Sequence, residues 1–158
     1  MESVRTATGA DRSRLLELSE ELVTAVTSQR GGELLVEPTL GAPAGAELAE
    51  RLVALLDRPD ALVLLGALDE AVVGVAVSVV EEDRRGHRRG RLGGCFVEEG
   101  ARGVGVGRLL LDRSLAWMAE RGCTGVDGLA LPGDRTAKSF YEAAGFKARV
   151  LTMHRPLE

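Results

Sequence analysis

The stretch Arg102-Gly103-Val104-Gly105-Val106-Gly107-Arg108 follows an apolar run at residues 92–97 and precedes a segment with helical spacing. The apolar run predicts a β-strand, and Leu111, Leu115 and Met118 recur at i, i+4 and i+7, as on one face of a helix. Three glycines without side chains leave backbone N–H groups free to approach a ligand. The helix adds the positive end of its dipole, and two arginines flank the loop. The stretch therefore predicts a strand–loop–helix unit that binds a phosphate or pyrophosphate.

Two familiar phosphate-binding patterns fit this loop poorly. The dinucleotide fingerprint G-x-G-x-x-G would begin at Gly103 and would need a glycine where Arg108 stands. That fingerprint usually lies in the first strand–turn–helix unit, whereas roughly two-thirds of this chain precedes the loop. Asp127, about twenty residues downstream, keeps a nicotinamide-dependent oxidoreductase open as an alternative. A P-loop is excluded because no Gly-Lys-Ser/Thr closes the run.

A second motif occupies residues 134–146, Asp-Arg-Thr-Ala-Lys-Ser-Phe-Tyr-Glu-Ala-Ala-Gly-Phe. Asp134 is a favourable helix N-cap, and Gly145 suits the position just after a helix ends. Apolar residues between them follow helical spacing: Ala137, Phe140, Tyr141 and Ala144. The motif therefore predicts a short amphipathic helix at 135–144.

Together the two motifs resemble the GNAT acetyltransferase superfamily. Arg102, Gly105 and Gly107 match its coenzyme A loop, Arg/Gln-x-x-Gly-x-Gly/Ala, and residues 134–146 are similar to its closing motif, Asn-x-x-Ala-x-x-Phe-Tyr followed by Gly-Phe. The resemblance is strong over residues 61–155 and weak before them. It implies an α+β fold with a central, mostly antiparallel twisted sheet of six to seven strands and helices on both faces. The cofactor would enter between the strands at 91–97 and 126–131.

The resemblance also implies an activity, the transfer of an acetyl group from acetyl-CoA to a primary amine by direct attack in a ternary complex. Cofactor binding is expected at the strand end, the loop and the closing helix: Phe96, Val97, Arg102, Gly103, Val104, Gly105, Val106, Gly107, Arg108, Asp134 and Lys138. Asp134 replaces the usual asparagine. Tyr141, the only tyrosine, is expected to protonate the departing thiolate, since a phenol with a pKa of about 10 is protonated at neutral pH. A buried core residue is the alternative interpretation of Tyr141.

The sequence defines the general base least well. Superfamily members that act on histones carry a glutamate on the strand before the loop, but residues 91–97 contain no carboxylate. Among Glu81, Glu82, His87 and Asp127, we select Asp127 because its strand would neighbour the loop strand. Ordered water is the alternative. The missing carboxylate also leaves open a non-catalytic acyl-CoA-binding regulatory module.

The composition limits the partners and the location. A single domain over residues 1–158 is expected, and no cluster has metal-ligand spacing. The net charge of −4 argues against nucleic acid and is compatible with a small-molecule amine or a protein amine as acceptor. No apolar run predicts a signal peptide or a membrane span, and two cysteines suit a reducing compartment, so we expect a cytoplasmic protein. Cys95 is interpreted as a small buried apolar residue.

The remaining pattern predicts the element order β-α-α-β-β-β-α-β-α-β. Strands are expected at 4–7, 61–68, 72–80, 91–97, 126–131 and 146–154, with a bulge at Gly93-Gly94. Helices are expected from residue 8 to 26, at 46–57, after the loop to residue 121, and at 135–144. Residues 29–45 predict a long loop which, with a tip at 83–91, would set acceptor selectivity. Five arginines at 84–91 indicate a solvated tip, with an anionic partner or a salt-bridged homodimer surface as alternatives.

Overall fold

The computed structural model describes residues 1–40 and 46–157. Strand β1 covers Glu2–Thr6, and it is followed by three helices: α1 at Arg12–Thr27, α2 at Gly32–Leu40 and α3 at Ala46–Leu56. Three longer strands come next: β2 at Ala61–Leu68, β3 at Ala71–Glu82 and β4 at Arg88–Val97. The chain continues through α4 at Val106–Glu120, β5 at Val126–Gly128 and α5 at Arg135–Ala143. Within the described ranges, no helix combines the length and the apolar character needed to cross a membrane.

The strands of the described residues form one mixed sheet in the order β1-β2-β3-β4-β5. The first four strands pair antiparallel, and β5 lies parallel to β4. In β2, Val63 and Leu65 pack with α1 and α3, whereas Leu64 packs with α4, so the sheet is covered on both faces. This is the predicted α+β architecture. A dinucleotide-binding fold would carry its glycine loop after the first strand of a parallel sheet, so the structure contradicts that alternative.

The predicted count of six to seven strands is wrong, because the described residues form five. Residues 146–157 have no regular structure and expose Val150, Leu151 and Met153 by 85%, 71% and 87%. Their apolar pattern predicted a strand, but a strand also needs a partner edge. The neighbouring edge belongs to β5, which is only three residues long. One ion pair still joins this segment to β5, with Arg149 lying 3.1 Å from the Asp127 carboxylate.

Residues 29–45 are also not the long loop that their glycines and prolines predicted, since α2 covers Gly32–Leu40. Gly31, with φ +80°, makes the turn between α1 and α2. Val36 is buried in the main core and Leu35 packs against it. This packing stabilises a helix that propensity alone disfavours. The remainder of the predicted loop, residues 41–45, lies outside the described residues.

The sheet opens at the end where β4 and β5 meet. In β4, Leu92 pairs with Ser78 and Gly94 with Val77, so Gly93 is an extra residue and the predicted bulge is confirmed. Strand β5 pairs with β4 only from Gly90 to Leu92. Beyond Leu92 the two chain segments diverge, which is why the strand predicted at 126–131 ends at Gly128. The edge of β4 at residues 93–97 that faces this gap has no strand partner among the described residues.

Candidate active site

A cavity of about 550 Å³ lies where β4 and β5 diverge. Its walls are the free edge of β4 on one side, and residues 129–131 with one face of α5 on the other. The glycine loop also lines the cavity, and so do α1 and the beginning of α2. The cavity therefore lies between the two segments that the sequence predicted, and its volume suits a small-molecule ligand.

The glycine loop presents several backbone N–H groups that have no acceptor within the described residues. Gly103 has φ +81° and Gly105, the N-cap of α4, has φ +99°, a left-handed conformation that strains other residues. Within the described part of the chain, the N–H groups of Gly103, Val104 and Gly105 donate to no acceptor. The first turn of α4 adds further N–H groups without helical partners. A phosphate is the natural ligand of such an array.

The two arginines beside the loop line the cavity, and each is already bound within the chain. The Arg102 Nε donates to the Val97 carbonyl at 2.9 Å, and its guanidinium lies 5.8 Å from the Phe96 ring centre. The Arg108 Nε donates to the Asp112 carboxylate at 2.9 Å. Both side chains can therefore keep a partner while their remaining N–H groups turn to a ligand.

The other predicted cofactor residues divide into two groups. Phe96, Val97, Gly103, Gly105, Gly107 and Asp134 line the cavity, whereas Val104, Val106 and Lys138 do not. Val104 is exposed, Val106 is buried beneath the loop, and Lys138 lies on the surface 3.6 Å from Glu142. Asp134 caps α5 by accepting from the Ala137 N–H at 2.9 Å, as its sequence position predicted.

Tyr141 reaches the cavity from α5, and the end of that helix fixes its surroundings. The Phe146 N–H donates to the Tyr141 carbonyl at 3.1 Å, and the Gly145 N–H donates to the Glu142 carbonyl at 3.0 Å. This Schellman turn, with Gly145 at φ +89°, brings the Phe146 ring to 5.2 Å from the Tyr141 ring. Burial, and then the nearby Cys95 and Asp134, raise the pKa of Tyr141 above its ordinary value. The phenol is therefore protonated throughout the neutral range.

The other groups with catalytic chemistry are less available. Cys95 lies in the β4 wall, where burial raises the pKa of its thiol to about 12, so it stays a thiol rather than a nucleophilic thiolate. Asp127 lies in the middle of β5 but does not line the cavity. Its carboxylate lies 3.1 Å from Arg149 and 3.8 Å from Arg89. Asp134 is the only carboxylate that lines the cavity among the residues the structure describes.

The sequence did not predict one wall of the cavity. Side chains of α1, of the turn that follows it and of α2 form this wall: Leu22, Ala25, Val26, Gln29 and Leu35. Their apolar pattern indicated only core residues, because the side of α1 that faces β4 is set by tertiary packing. No sequence pattern pointed to Gln29 as a cavity residue. Its side-chain amide donates to the Ala25 carbonyl at 3.2 Å.

A second groove, of about 530 Å³, adjoins the cavity and shares Ala25, Phe96 and Arg102 with it. Four carboxylates line this groove: Glu17, Glu20, Glu21 and Glu99. Arg102 thus lies where the two spaces meet, and the groove carries net negative charge. In the described part of the chain, no three acidic, histidine or cysteine side chains gather as they would around a metal ion.

The arginine cluster lies mostly on β4 rather than at a loop tip. Arg88 pairs with Glu82 at 3.0 Å, Arg91 with Glu81 at 3.1 Å, and Arg89 with Asp127 at 3.8 Å. The first two pairs join β3 to β4 and the third joins β4 to β5, and none of their six residues lines the cavity. The cluster therefore behaves as a surface charge network, in which each pair contributes little to stability.

The fold is similar to that of several proteins of known structure. Among solved structures, a transcriptional regulator from Bacillus halodurans C-125 aligns with 98% of this chain and 100% of its own, at TM-score 0.76 and 21% identity. An aminoglycoside acetyltransferase from an uncultured soil metagenomic sample aligns with 99% of this chain and 97% of its own, at TM-score 0.72 and 19% identity. An acetyltransferase of Trypanosoma brucei aligns with 99% of this chain and 100% of its own, at TM-score 0.69 and 20% identity. At these identities the likeness shows the fold alone. No curated protein matches the sequence.

The sequence itself carries the family assignment. The model of the Acetyltransferase (GNAT) family matches residues 33–146, which is more than half of the chain. The match includes the glycine loop, the cavity wall after β5 and the helix that carries Tyr141. The chain belongs to the GNAT family of acetyltransferases.

Proposed function

We propose that this protein transfers an acetyl group from acetyl-CoA to a primary amine by direct attack in a ternary complex. The observation that carries the proposal is one cavity lined both by a glycine loop suited to phosphate and by a protonated phenol. The loop binds the phosphate groups of a phosphorylated acyl carrier. The phenol provides a proton donor for the group that leaves.

The residues of the cavity suit coenzyme A. The free N–H groups at residues 103–105 and the first turn of α4 bind the pyrophosphate, with Arg102 and Arg108 beside them. The unpaired edge of β4 at residues 93–97 offers backbone donors and acceptors to the amide groups of the pantetheine arm. Acetyl-CoA supplies a thioester that an amine can attack without a covalent enzyme intermediate. The protonated thiol of Cys95 supports this direct route.

Tyr141 acts on the sulfur that leaves. Because burial raises its pKa, the hydroxyl keeps its proton at neutral pH and can donate it. A hydrogen bond from this hydroxyl stabilises the developing thiolate, and the proton that the amine loses replaces the one that the phenol gives. Tyr141 therefore lowers the barrier for breaking the C–S bond.

The acceptor amine must lose a proton before it attacks. Because Asp127 is paired with Arg149 and Arg89 outside the cavity, we propose that water takes this proton from the ammonium form, or that the small fraction of amine already neutral in solution binds and attacks. The glutamates of the adjoining groove attract a cationic amine to the mouth and raise its local concentration. The mostly apolar wall formed by α1, α2 and the turn between them is where we expect acceptor selectivity to lie.

A panel of amines tests the proposal. Purified protein is given acetyl-CoA with alkyl monoamines, polyamines, aminoglycosides and lysine-containing peptides, and thiol release is followed together with the mass of the product. We expect an N-acetylated product from at least one class and initial rates that show a ternary complex. Aminoglycosides are included because one structure with this fold is described as an aminoglycoside acetyltransferase.

The second candidate is a non-catalytic acyl-CoA-binding regulatory module. Two observations favour it: β4 carries no carboxylate, and one structure with this fold is described as a transcriptional regulator. The same panel separates the two functions. Coenzyme A binding by calorimetry, together with no turnover of any amine, would reject the enzyme and support the module.

A further inference from the structure

Gly128 is the last residue of β5, and it pairs with Leu92 at the point where β4 and β5 separate. The ring of Tyr141 packs directly on its backbone. A Cβ atom at position 128 would lie 2.9 Å from the Tyr141 Cε1 and 3.1 Å from Cζ. Real Cβ atoms do not approach a ring that closely, so the ring occupies the space that any other residue at 128 would need.

The backbone at position 128 does not itself require glycine. Positive φ angles occur at Gly103, Gly105 and Gly145, but not at Gly128. An alanine at 128 would therefore bring no backbone strain of the left-handed kind, and its effect would pass through the Tyr141 ring. Phe146 and Phe140 lie 5.2 Å and 5.5 Å from the ring, centre to centre, so a displaced ring would move toward the cavity that Tyr141 lines.

We infer that Gly128 is a positioning residue for Tyr141, which rests on the role proposed for Tyr141 above. The missing side chain lets the phenol ring lie against the end of β5, where Tyr141 lines the cavity beside the point at which the strands diverge. Gly128 is not among the residues that line the cavity, so it acts through Tyr141 and not on a ligand.

Gly128→Ala tests the inference, and Gly125→Ala is its matched control. Gly125 lies just before β5, has no positive φ, and a Cβ there would meet nothing within 4 Å. Displacing a reacting group by a fraction of an ångström to 1 Å costs up to about 100-fold in rate, so we expect Gly128→Ala to lower kcat by about 10- to 100-fold. The KM for acetyl-CoA should stay unchanged, and Gly125→Ala should match the wild type in both constants.

A second readout does not depend on activity. Because Tyr141 is the only tyrosine, the alkaline absorbance change of the phenol reports its ionisation alone. Moving the ring out of its slot exposes it, so Gly128→Ala should titrate at lower pH than the wild type, and Gly125→Ala should not. In the Tyr141→Phe background, Gly128→Ala should lower kcat no further.

The outcomes separate the inference from the proposed function. If folded Gly128→Ala titrates its phenol at the same pH as the wild type, the inference is overturned. It is also overturned if the phenol titration shifts but kcat stays at the wild-type value, while Tyr141→Phe has a lowered kcat. Wild-type kcat in Tyr141→Phe would instead reject the proposed role of Tyr141. If Gly128→Ala folds poorly, its effect on the melting temperature is measured again in a Tyr141→Leu background. A smaller loss of melting temperature beside leucine supports the steric contact with the Tyr141 ring, and an equal loss overturns it.

Discussion

Gly105→Asp tests whether the glycine loop holds the phosphates. At φ +99° a side chain costs about 1–2 kcal/mol of folding free energy, and the new Cβ would lie 3.3 Å from the Glu2 carboxylate. In the complex, a carboxylate about 5 Å from a phosphate costs about 3 kcal/mol at an effective dielectric constant of about 20. Since about 1.4 kcal/mol is tenfold in Kd, coenzyme A should bind more than 100-fold more weakly.

Gly105→Ala is the control, because it brings the same backbone strain without the charge. Calorimetric titration with coenzyme A should show a Kd within about tenfold of the wild type for alanine, and a far larger loss for aspartate. Thermal melts should show similar destabilisation of both variants, with an added loss for aspartate from its repulsion of Glu2. A folded Gly105→Asp protein with wild-type affinity would show that the phosphates lie elsewhere, and the reasoning from the loop would fail.

Three further outcomes follow from Tyr141 and from the packing of α4. Tyr141→Phe should lower kcat by about 100- to 10,000-fold with unchanged coenzyme A affinity, and a near wild-type kcat would mean that water carries the proton. Because the folded pKa of Tyr141 is raised, its stabilising effect is complete below about pH 10, the ordinary value, and is lost as the pH rises further. Urea unfolding across that range should show this loss in the wild type and a weaker one in Tyr141→Phe. Gly66→Ala places a Cβ 2.5 Å from the Val106 Cγ1, so urea unfolding should show a loss of about 1–3 kcal/mol, and an unchanged midpoint would contradict the packing of α4 on β2.

The features that the sequence predicted correctly depend on local chemistry. The turn at Gly103 and Gly105 needs residues that tolerate positive φ, and the amino acids themselves reveal it. The cap at Asp134 and the helix end at Gly145 are likewise decided within a few residues. These local signals, taken in order along the chain, were enough to identify the family and to predict where the cavity lies.

The features that the sequence did not predict depend on partners far away in the chain. Helix α2 exists because Val36 packs in the core, which outweighs the glycines and proline around it. The strand predicted at 126–131 ends at Gly128 because β4 turns away, and no pattern in that segment records the divergence. The cavity wall formed by α1 and α2 was missed for the same reason, since Leu22 and Val26 have the same spacing whether they face a core or a ligand.

The short parallel pairing of β5 also affects how the fold opens. Three residue pairs attach β5 to the sheet, whereas β3 and β4 share nine. Local opening is cheapest where few backbone hydrogen bonds must break, so we expect β5 to separate from β4 more easily than β3 does. A molecule held between the free edge of β4 and residues 129–131 would bridge the two parts where the strands do not. Ligand binding would then hold β5 against β4 reversibly. It would raise the protection of β5 amides from hydrogen exchange and leave the protection of β2 and β3 amides unchanged.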